Sequence, residues 1–221
     1  MPRSVVLQSS RRCDGCRLPL RWCVCTARDW IECPLAVDVI MSSREQFRPT
    51  STGHLIARSL AESRTHVWRR ERRTSVDEVS LPDRELWILH PAGGEMPPRC
   101  NPEKVQVILI DGSWRESSAI AQEIGRWGRL INLPMSGESR YWLRAQADAA
   151  RFCTAEALLF LLGALGLNES AARLQLQFEL HVYASLRARG DKESAHRFLE
   201  SSPIRERFAP LIERLDVRRP R

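Results

Sequence analysis

Four cysteines near the start of the chain have a spacing that suits a metal site. Cys13, Cys16, Cys23 and Cys25 fall within thirteen residues in the pattern C-x2-C-x6-C-x-C. Two close pairs of thiolates can surround one ion tetrahedrally, and Zn²⁺ favours such all-sulfur sites. Because the first residues lack the apolar segment of a secretory signal, metal binding is favoured over disulfides. We expect a structural zinc that folds this segment and does no chemistry, with Cys33 as an alternative ligand.

A carboxylate and a hydroxyl follow an apolar stretch in the middle of the chain. Residues 105–110 are typical of a strand that is buried on both faces, and a helix start is expected soon after Asp111, Gly112 and Ser113. A strand, a tight turn and a helix place ligand sites at the carboxyl end of a parallel sheet, so Asp111 is a candidate site residue. Ser113 and Glu116 also fit a capping box, so these polar residues could simply start the helix.

Two further loops carry residues that suit a binding site. The polar loop 48–53 runs into a helical pattern from residue 54, with Thr52 as the expected N-cap. A hydroxyl-rich loop at a helix N-terminus can hold an anion or a cofactor. The second apolar strand, 85–90, ends at His90 before a Pro/Gly loop. A base role for His90 is conceivable, although a histidine before proline is more often structural.

The chain is basic, and its arginines are clustered. The net charge of +7 and the pI of about 9.4 favour a polyanionic partner without identifying it. Residues 64–73 hold five arginines, one glutamate and Trp68, a net charge of +4. Such a mixture suits RNA through phosphate contacts and stacking, whereas the alternative is a solvated edge strand. The candidate RNA contacts in this cluster are Arg69, Arg70, Arg72 and Arg73.

Length and hydropathy indicate one soluble α/β unit with small additions. The 221 residues are 43% apolar with a mean hydropathy of −0.34, and no apolar run approaches the ~18 residues of a membrane span. Apolar strands that end in polar loops alternate with helices, which predicts a mostly parallel sheet flanked by helices. We expect a cytoplasmic protein without membrane contact. Its parts are a zinc-binding segment (1–33), a main domain (34–200) and a basic tail (201–221).

Five motifs together resemble one family. They are the four cysteines, Thr50-Ser51-Thr52-Gly53, Asp111-Gly112-Ser113-Trp114, Tyr141-Trp142-Leu143-Arg144 and Cys153-Thr154-Ala155-Glu156-Ala157. Each is weak alone, but their order over residues 11–190 resembles the DTW-domain proteins, which are tRNA-uridine aminocarboxypropyltransferases. The resemblance implies a SPOUT-like α/β fold with a deep trefoil knot. It also implies transfer of the 3-amino-3-carboxypropyl group from S-adenosylmethionine to N3 of a uridine in tRNA, with methylthioadenosine leaving.

The resemblance also suggests roles for individual residues. Asp111 would be the general base for the uridine N3 proton, and Arg144 would stabilise the developing uridine anion. Trp114 would stack on the base, unless it lies in the core instead. The implied donor-binding residues are Ser51, Thr52, Gly53, Pro91, Leu133, Tyr141, Thr154 and Glu156.

Two departures from the family pattern concern these motifs. Ser113 stands where the family has threonine, and the related rRNA-modifying enzymes carry a similar serine, so the choice between tRNA and rRNA stays open. Cys153 stands where the family has serine. Because cysteine is a poor N-cap, this change argues against a capping role for Glu156 and favours a contact with the donor's ammonium group.

Two other functions remain alternatives. The first is a SPOUT-type RNA methyltransferase that uses the same donor. The second is a zinc-ribbon RNA-binding protein without catalytic activity. The sequence does not determine which uridine is modified, and it leaves the oligomeric state open.

Overall fold

A five-stranded parallel sheet forms the centre of the molecule. The computed structural model describes residues 11–69, 71, 74–144 and 152–217. The strand order is β2-β1-β4-β3-β5, and every neighbouring pair is parallel. The predicted parallel α/β architecture is confirmed. The strands are β1 (Ala36–Ser42), β2 (Arg64–Trp68), β3 (Glu85–Glu95), β4 (Val105–Asp111) and β5 (Arg129–Asn132).

Helices follow most of the strands, and a helical region ends the described chain. They are α1 (Thr52–Ser59), α2 (Val76–Val79), α3 (Trp114–Ile124), α4 (Thr154–Ala164), α5 (Asn168–Ala188), α6 (Lys192–Glu200), α7 (Ile204–Arg207) and α8 (Ala209–Asp216). Short 3-10 turns cover Leu20–Trp22, Cys25–Ala27, Glu45–Phe47 and Pro102–Lys104. No helix in the described part of the chain is both long enough and apolar enough to cross a bilayer.

The two faces of the sheet are covered by different helices. Val39 of β1 and Leu109 of β4 belong to the larger core, which also includes residues of α1, α4 and α5. Their neighbours Ile40 and Ile108 belong to a smaller core with Ile120 of α3. Side chains that alternate along each central strand therefore bury both faces, as the apolar strand patterns predict.

The order of the strands creates a crevice at the carboxyl edge of the sheet. From β1 the chain continues through α1 to β2, whereas from β4 it continues through α3 to β5 on the other side. Since β1 and β4 are neighbours, their carboxyl ends lie at the point where the winding direction changes. In open parallel sheets this switch point is where ligands bind.

Strand β3 is longer than expected. The sequence predicts a Pro/Gly loop after His90, but this prediction is wrong, because the strand continues to Glu95 with a register shift between Leu89 and Gly94 in its pairing with β5. A Cβ at Gly93 would lie 2.4 Å from the backbone of Ile131. Glycine thus lets the two backbones approach where another residue would keep them apart.

The N-terminal segment packs against the main domain. Arg173 of α5 forms two hydrogen bonds with Asp29, at 2.7 and 2.8 Å. The segment also reaches the last helix, because the Arg21 guanidinium donates to the Val217 carbonyl and Arg214 donates to the Cys23 carbonyl. The cysteine segment therefore contacts both the middle and the end of the described chain.

Candidate active site and metal centre

Asp111 ends β4 and is held by three donors. Asp111 is only 2% exposed. The Ser51 hydroxyl donates to Asp111 Oδ2 at 2.5 Å, and the Gly53 N–H donates to the same oxygen at 3.3 Å. The Thr154 hydroxyl donates to Asp111 Oδ1 at 2.7 Å. The carboxylate is thereby fixed between the loop after β1 and the start of α4, with capacity for about one more hydrogen bond.

Gly53 is required by the position of this carboxylate. A Cβ there would lie 2.8 Å from Asp111 Oδ2, 2.9 Å from Met41 Cε and 3.0 Å from Val39 Cγ1. All three distances are shorter than or at the limit of ordinary contacts. The glycine of the Thr50-Ser51-Thr52-Gly53 motif thus makes room for Asp111.

A cavity of about 340 Å³ opens beside Asp111 at the carboxyl edge of the sheet. Its apolar wall includes Leu89, Ile110, Leu133, Met135 and Phe152, and its polar wall includes Arg48, Asn132, Arg144 and Thr154. Its volume and mixed lining are typical of a small-molecule site. Asp111 itself does not line the cavity, whereas Thr154, which donates to it, does. The threonine hydroxyl therefore lies between the buried carboxylate and the cavity.

Trp114 and Arg144 lie at the rim of the cavity. Trp114 is 51% exposed and lines the cavity, so the alternative that it lies in the core is wrong. Arg144 also lines the cavity, and its guanidinium carbon lies 5.3 Å from the centre of the Tyr141 ring. Both residues can reach a molecule in the cavity, and their predicted substrate contacts stay predictions.

Tyr141 is a core residue rather than part of the cavity wall. It is 3% exposed, and its hydroxyl donates to the Thr50 carbonyl at 2.5 Å. Burial raises the pKa of this phenol to about 12, so the hydroxyl keeps its proton. Its visible role is to fix the loop that carries Ser51.

Residues 51–53 face Asp111 and α4 instead of the cavity. Ser51 and Gly53 bind Asp111, and Thr52 Oγ1 accepts from the Ala155 N–H at 3.3 Å. Thr52 is the first residue of α1, and the N-cap is Ser51, so the predicted N-cap was wrong by one residue. The predicted contact of this loop with the donor stays untested, but the polar atoms named here already have protein partners.

Glu156 has a capping role, contrary to the expectation drawn from Cys153. Its carboxylate accepts from the Cys153 N–H at 2.8 Å and from the Arg140 N–H at 2.6 Å. The Ser139 hydroxyl lies 2.9 Å from both carboxylate oxygens. Glu156 therefore caps α4 and fixes the 139–140 loop, so a contact with the donor's ammonium group would have to compete with these bonds.

His90, Pro91 and Leu133 all line the cavity. His90 Nδ1 accepts from the Ala92 N–H at 3.1 Å, which places the ring proton of the neutral form on Nε2. Burial lowers the pKa of His90, and Nε2 is buried without a hydrogen-bond partner among the described residues. His90 therefore offers one N–H donor beside the cavity.

Glu45 is a site residue that sequence reasoning missed. It lies in the short turn after β1, is 0% exposed, and binds Arg48 at 2.5 Å through Oε1. Burial, followed by the charge of Asp111, raises its pKa. The only pattern in the sequence was a glutamate three residues before an arginine, which is too common to single it out.

The predicted RNA-binding arginines are only partly described. Arg69 follows the edge strand β2 and is exposed. Arg70, Arg72 and Arg73 lie outside the described residues. An exposed arginine next to an edge strand fits both the RNA contact and the solvated edge that the sequence left open.

The four N-terminal cysteines converge. Their sulfur atoms all lie within 4.8 Å of one another, with Cys13 Sγ 3.5 Å from Cys23 Sγ and 3.6 Å from Cys25 Sγ. Four sulfurs at the usual Zn–S distance would be about 3.8 Å apart in a tetrahedron. The donor set therefore fits one zinc ion. Cys33 is not a member of this group, which leaves the four predicted ligands as the candidate set.

The position of Gly15 agrees with this convergence. A Cβ there would lie 3.0 Å from Cys25 Sγ and 3.8 Å from Cys13 Sγ. The turn between the first two cysteines thus passes close to the sulfur atoms, and a side chain would intrude on the candidate metal centre.

Comparison with known proteins agrees with the motifs now placed in the structure. The family model described as DTW domain matches residues 10–187. No solved structure matches the chain significantly. The match covers the cysteine segment, the whole sheet, the Asp111 site and most of α5. The chain belongs to the DTW-domain family.

Proposed function

We propose that this protein transfers the 3-amino-3-carboxypropyl group of S-adenosylmethionine to N3 of a uridine in tRNA. The products are the aminocarboxypropyl-uridine and methylthioadenosine. Membership of the DTW-domain family is consistent with a tRNA-modifying enzyme. The observation that carries the proposal is the cavity that is lined by Thr154, Trp114 and Arg144. Thr154 donates a hydrogen bond to the buried Asp111, and Trp114 and Arg144 are exposed.

The residues of the cavity fit this donor. Leu89, Ile110 and Phe152 offer apolar contacts to an adenosine, and Arg48 can pair with the donor's carboxylate. The α4 N-terminus is less suited to that carboxylate, because the N–H groups of Cys153 and Ala155 already bind Glu156 and Thr52. We therefore assign the carboxylate to the arginine side of the cavity.

Bound S-adenosylmethionine supplies a carbon that is already activated by its sulfonium. The protein has to orient the uridine and remove the N3 proton as the N3–C bond forms and the C–S bond breaks. Thr154 faces the cavity and donates to Asp111. In the proposed step, the Thr154 oxygen accepts the N3 proton while its own proton moves to Asp111, so Asp111 is the final base.

Two donors can stabilise the negative charge that develops on the uracil ring. The Arg144 guanidinium lies at the cavity wall, and His90 Nε2–H has no hydrogen-bond partner among the described residues. Either can donate to a uracil carbonyl, where the charge of the imide anion accumulates. Trp114 can stack on the base, as aromatic side chains do with unpaired RNA bases.

The remaining family features complete the proposal. One zinc ion held by the four cysteines would stabilise the N-terminal segment and take no part in the transfer. The SPOUT-like trefoil knot and the tRNA partner stay predictions from the family resemblance. The basic net charge supports an RNA partner but does not distinguish tRNA from rRNA.

The test is incubation of the purified protein with S-adenosylmethionine and unmodified tRNA transcripts, followed by mass spectrometry of the nucleosides and the small product. Aminocarboxypropyl-uridine with methylthioadenosine is the expected result. A methylated nucleoside with S-adenosylhomocysteine would support the methyltransferase alternative instead. If tRNA binds tightly without any product, the same assay with rRNA separates a different RNA substrate from a non-catalytic protein.

A further inference from the structure

A basic cleft lies next to the candidate active site. It encloses about 200 Å³ between the cysteine segment, the loop after β1 and the end of α5. Its polar lining consists of Arg12, Arg48, Thr50, Ser185 and Arg189, and no carboxylate lines it among the residues that the structure describes. The cysteine segment, the loop after β1 and the end of α5 each contribute one arginine to this cleft.

Each of the three guanidinium groups is held in place by a hydrogen bond to the protein. Arg12 Nη1 donates to the Arg17 carbonyl at 3.0 Å, and Arg189 Nη1 donates to the Leu143 carbonyl at 2.5 Å. Arg48 Nη1 binds Glu45 at 2.5 Å. Each bond occupies one N–H of a group that has five, so the side chain is held in place while most of its donor capacity remains.

Ser185 provides an independent indication of a ligand. It is 2% exposed and lines the cleft, but its hydroxyl has no hydrogen-bond partner among the described residues. A buried hydroxyl without a partner costs free energy, so its presence needs an explanation. An acceptor oxygen in the cleft would provide the missing partner.

The C-terminus of α5 borders the cleft, and the unpaired carbonyl groups of a helix C-terminus usually repel an anion. In α5 this repulsion is reduced. The Ser185 carbonyl accepts from the Arg189 N–H, and the Leu186 and Arg187 carbonyls accept from the N–H groups of Asp191 and Gly190. These carbonyls are therefore satisfied by the chain itself. The charge that remains in the cleft is that of Arg12 and Arg189, because Arg48 is paired with Glu45.

The cleft adjoins the cavity that contains Thr154. Arg48 lines both spaces. Arg189 holds the carbonyl of Leu143, and the next residue, Arg144, lines the cavity. A chain whose base occupies the cavity would therefore pass its backbone close to the cleft.

We propose that this cleft binds one phosphodiester group of the RNA backbone beside the nucleotide that enters the cavity. The proposal rests on the proposed function. Planar guanidinium groups match the oxygens of a phosphate, and a hydroxyl donor such as Ser185 completes the set. The cysteine segment, through Arg12, would then contribute directly to substrate binding.

The experiment measures the affinity of the full-length, zinc-loaded protein for an unmodified tRNA transcript at several salt concentrations. The variants are Arg12→Gln, Arg189→Gln, their combination and Ser185→Ala. Because the arginines contact the same phosphate, the double variant Arg12→Gln/Arg189→Gln should lower the slope of log affinity against log salt by about one, and each single variant should lower it by less. A rise from 50 to 200 mM salt should therefore weaken the wild type about fourfold more than the double variant. Ser185→Ala should weaken RNA binding roughly tenfold without loss of thermal stability.

A matched control is Arg126→Gln. Arg126 is exposed and lies just after α3, two residues before Gly128, which packs against Leu86 near the start of β3. It therefore lies at the edge of the sheet opposite to the site, and its slope should equal that of the wild type. Zinc content checks that Arg12→Gln leaves the neighbouring Cys13 in its site.

The outcomes separate the cleft from the proposed reaction. An unchanged salt slope in the double arginine variant, or unchanged affinity in Ser185→Ala, would overturn the cleft assignment even if the enzyme makes its product. Lower slopes in an enzyme that makes no product would support the cleft and contradict the reaction. If the variants lose binding of inorganic phosphate while their RNA slopes stay unchanged, the cleft is a small-anion site and the RNA assignment is wrong.

Discussion

The Thr154 hydroxyl donates to Asp111 Oδ1 at 2.7 Å, and of the two residues Thr154 is the one that lines the cavity. The Asp111 carboxylate also binds Ser51 and Gly53, so it is rigid but shielded. A proton removed in the cavity would reach it through the threonine. The structure therefore favours a proton relay through Thr154 over direct contact between the Asp111 carboxylate and the substrate.

Replacement of Thr154 tests the relay. Thr154→Val removes the hydroxyl with little change of shape and should lower the single-turnover rate of transfer roughly 100- to 10,000-fold, the usual range for a lost acid–base group. Thr154→Ser keeps the hydroxyl and should retain most of the rate. Single-turnover kinetics with unmodified tRNA gives both values. A Thr154→Val enzyme with the wild-type rate would show that Asp111 is reached by another route.

Asp111→Asn tests the base itself. The amide keeps the size of the side chain but cannot accept a proton, so transfer should be lost while tRNA binding is kept. A filter-binding assay and the product assay measure these separately. If the variant still modifies tRNA at the wild-type rate, the assignment of Asp111 as base is wrong.

Gly53→Ala tests the close packing around Asp111. The added Cβ would lie 2.8 Å from Asp111 Oδ2, so we expect a loss of about 1–3 kcal/mol in the free energy of unfolding, as for overpacked cores. Gly163→Ala is the control, because position 163 lies within α4 and, apart from the helix's own neighbouring backbone, no atom of the described residues lies within 4 Å of a Cβ there. That change should raise stability by about 0.5–1 kcal/mol. Urea unfolding measures both, and equal effects would contradict the packing argument.

Metal content tests the cysteine cluster. The wild type should carry one zinc ion per chain, and Cys25→Ser should lose it because the site needs four ligands. Cys33→Ser should keep the full content, since Cys33 lies outside the cluster. Elemental analysis of the purified proteins measures the zinc content per chain of the wild type and of each variant. Loss of zinc from the Cys33 variant would return that residue to the ligand set.

Asp38 should make stability depend on acid pH. It is 1% exposed; burial alone would raise its pKa, but hydrogen bonds from His66, Arg64 and Gln106 outweigh burial and hold the pKa below its usual value. The stabilisation is therefore present above the unfolded pKa of about 3.9 and is lost as pH falls through the folded value. The gap in unfolding free energy between wild type and Asp38→Asn should be present at pH 5 and should shrink as the pH falls below 4. A gap that grows below pH 4 would contradict this sign.

Local patterns predicted the stretch from residue 105 to residue 116 best. The apolar run forms β4, and Ser113 and Glu116 form the expected capping box on α3. Both features depend on neighbouring residues, so the sequence contains the necessary information. The four cysteines were predictable for the same reason, because ligand spacing is local.

Contacts between distant segments could not be predicted from such patterns. Tyr141 and Glu156 belong to motifs that suggested donor binding, but they are buried and bind the loops at Thr50 and Arg140. Glu45 reaches the site only because β1 and β4 are neighbours in the sheet. Which polar residues support the site and which line it depends on the strand order, and hydrophobic periodicity does not specify that order.

The hydrogen bond from Arg214 to the Cys23 carbonyl has a consequence for how the protein is made. The two residues are separated by 191 positions, so the ribosome needs about 10 to 40 s after Cys23 before Arg214 is synthesised. During that interval the cysteine segment is without this partner from the last helix. Zinc uptake can therefore precede the synthesis of Arg214, and the cysteine segment is fully packed only after this much later part of the chain has been made.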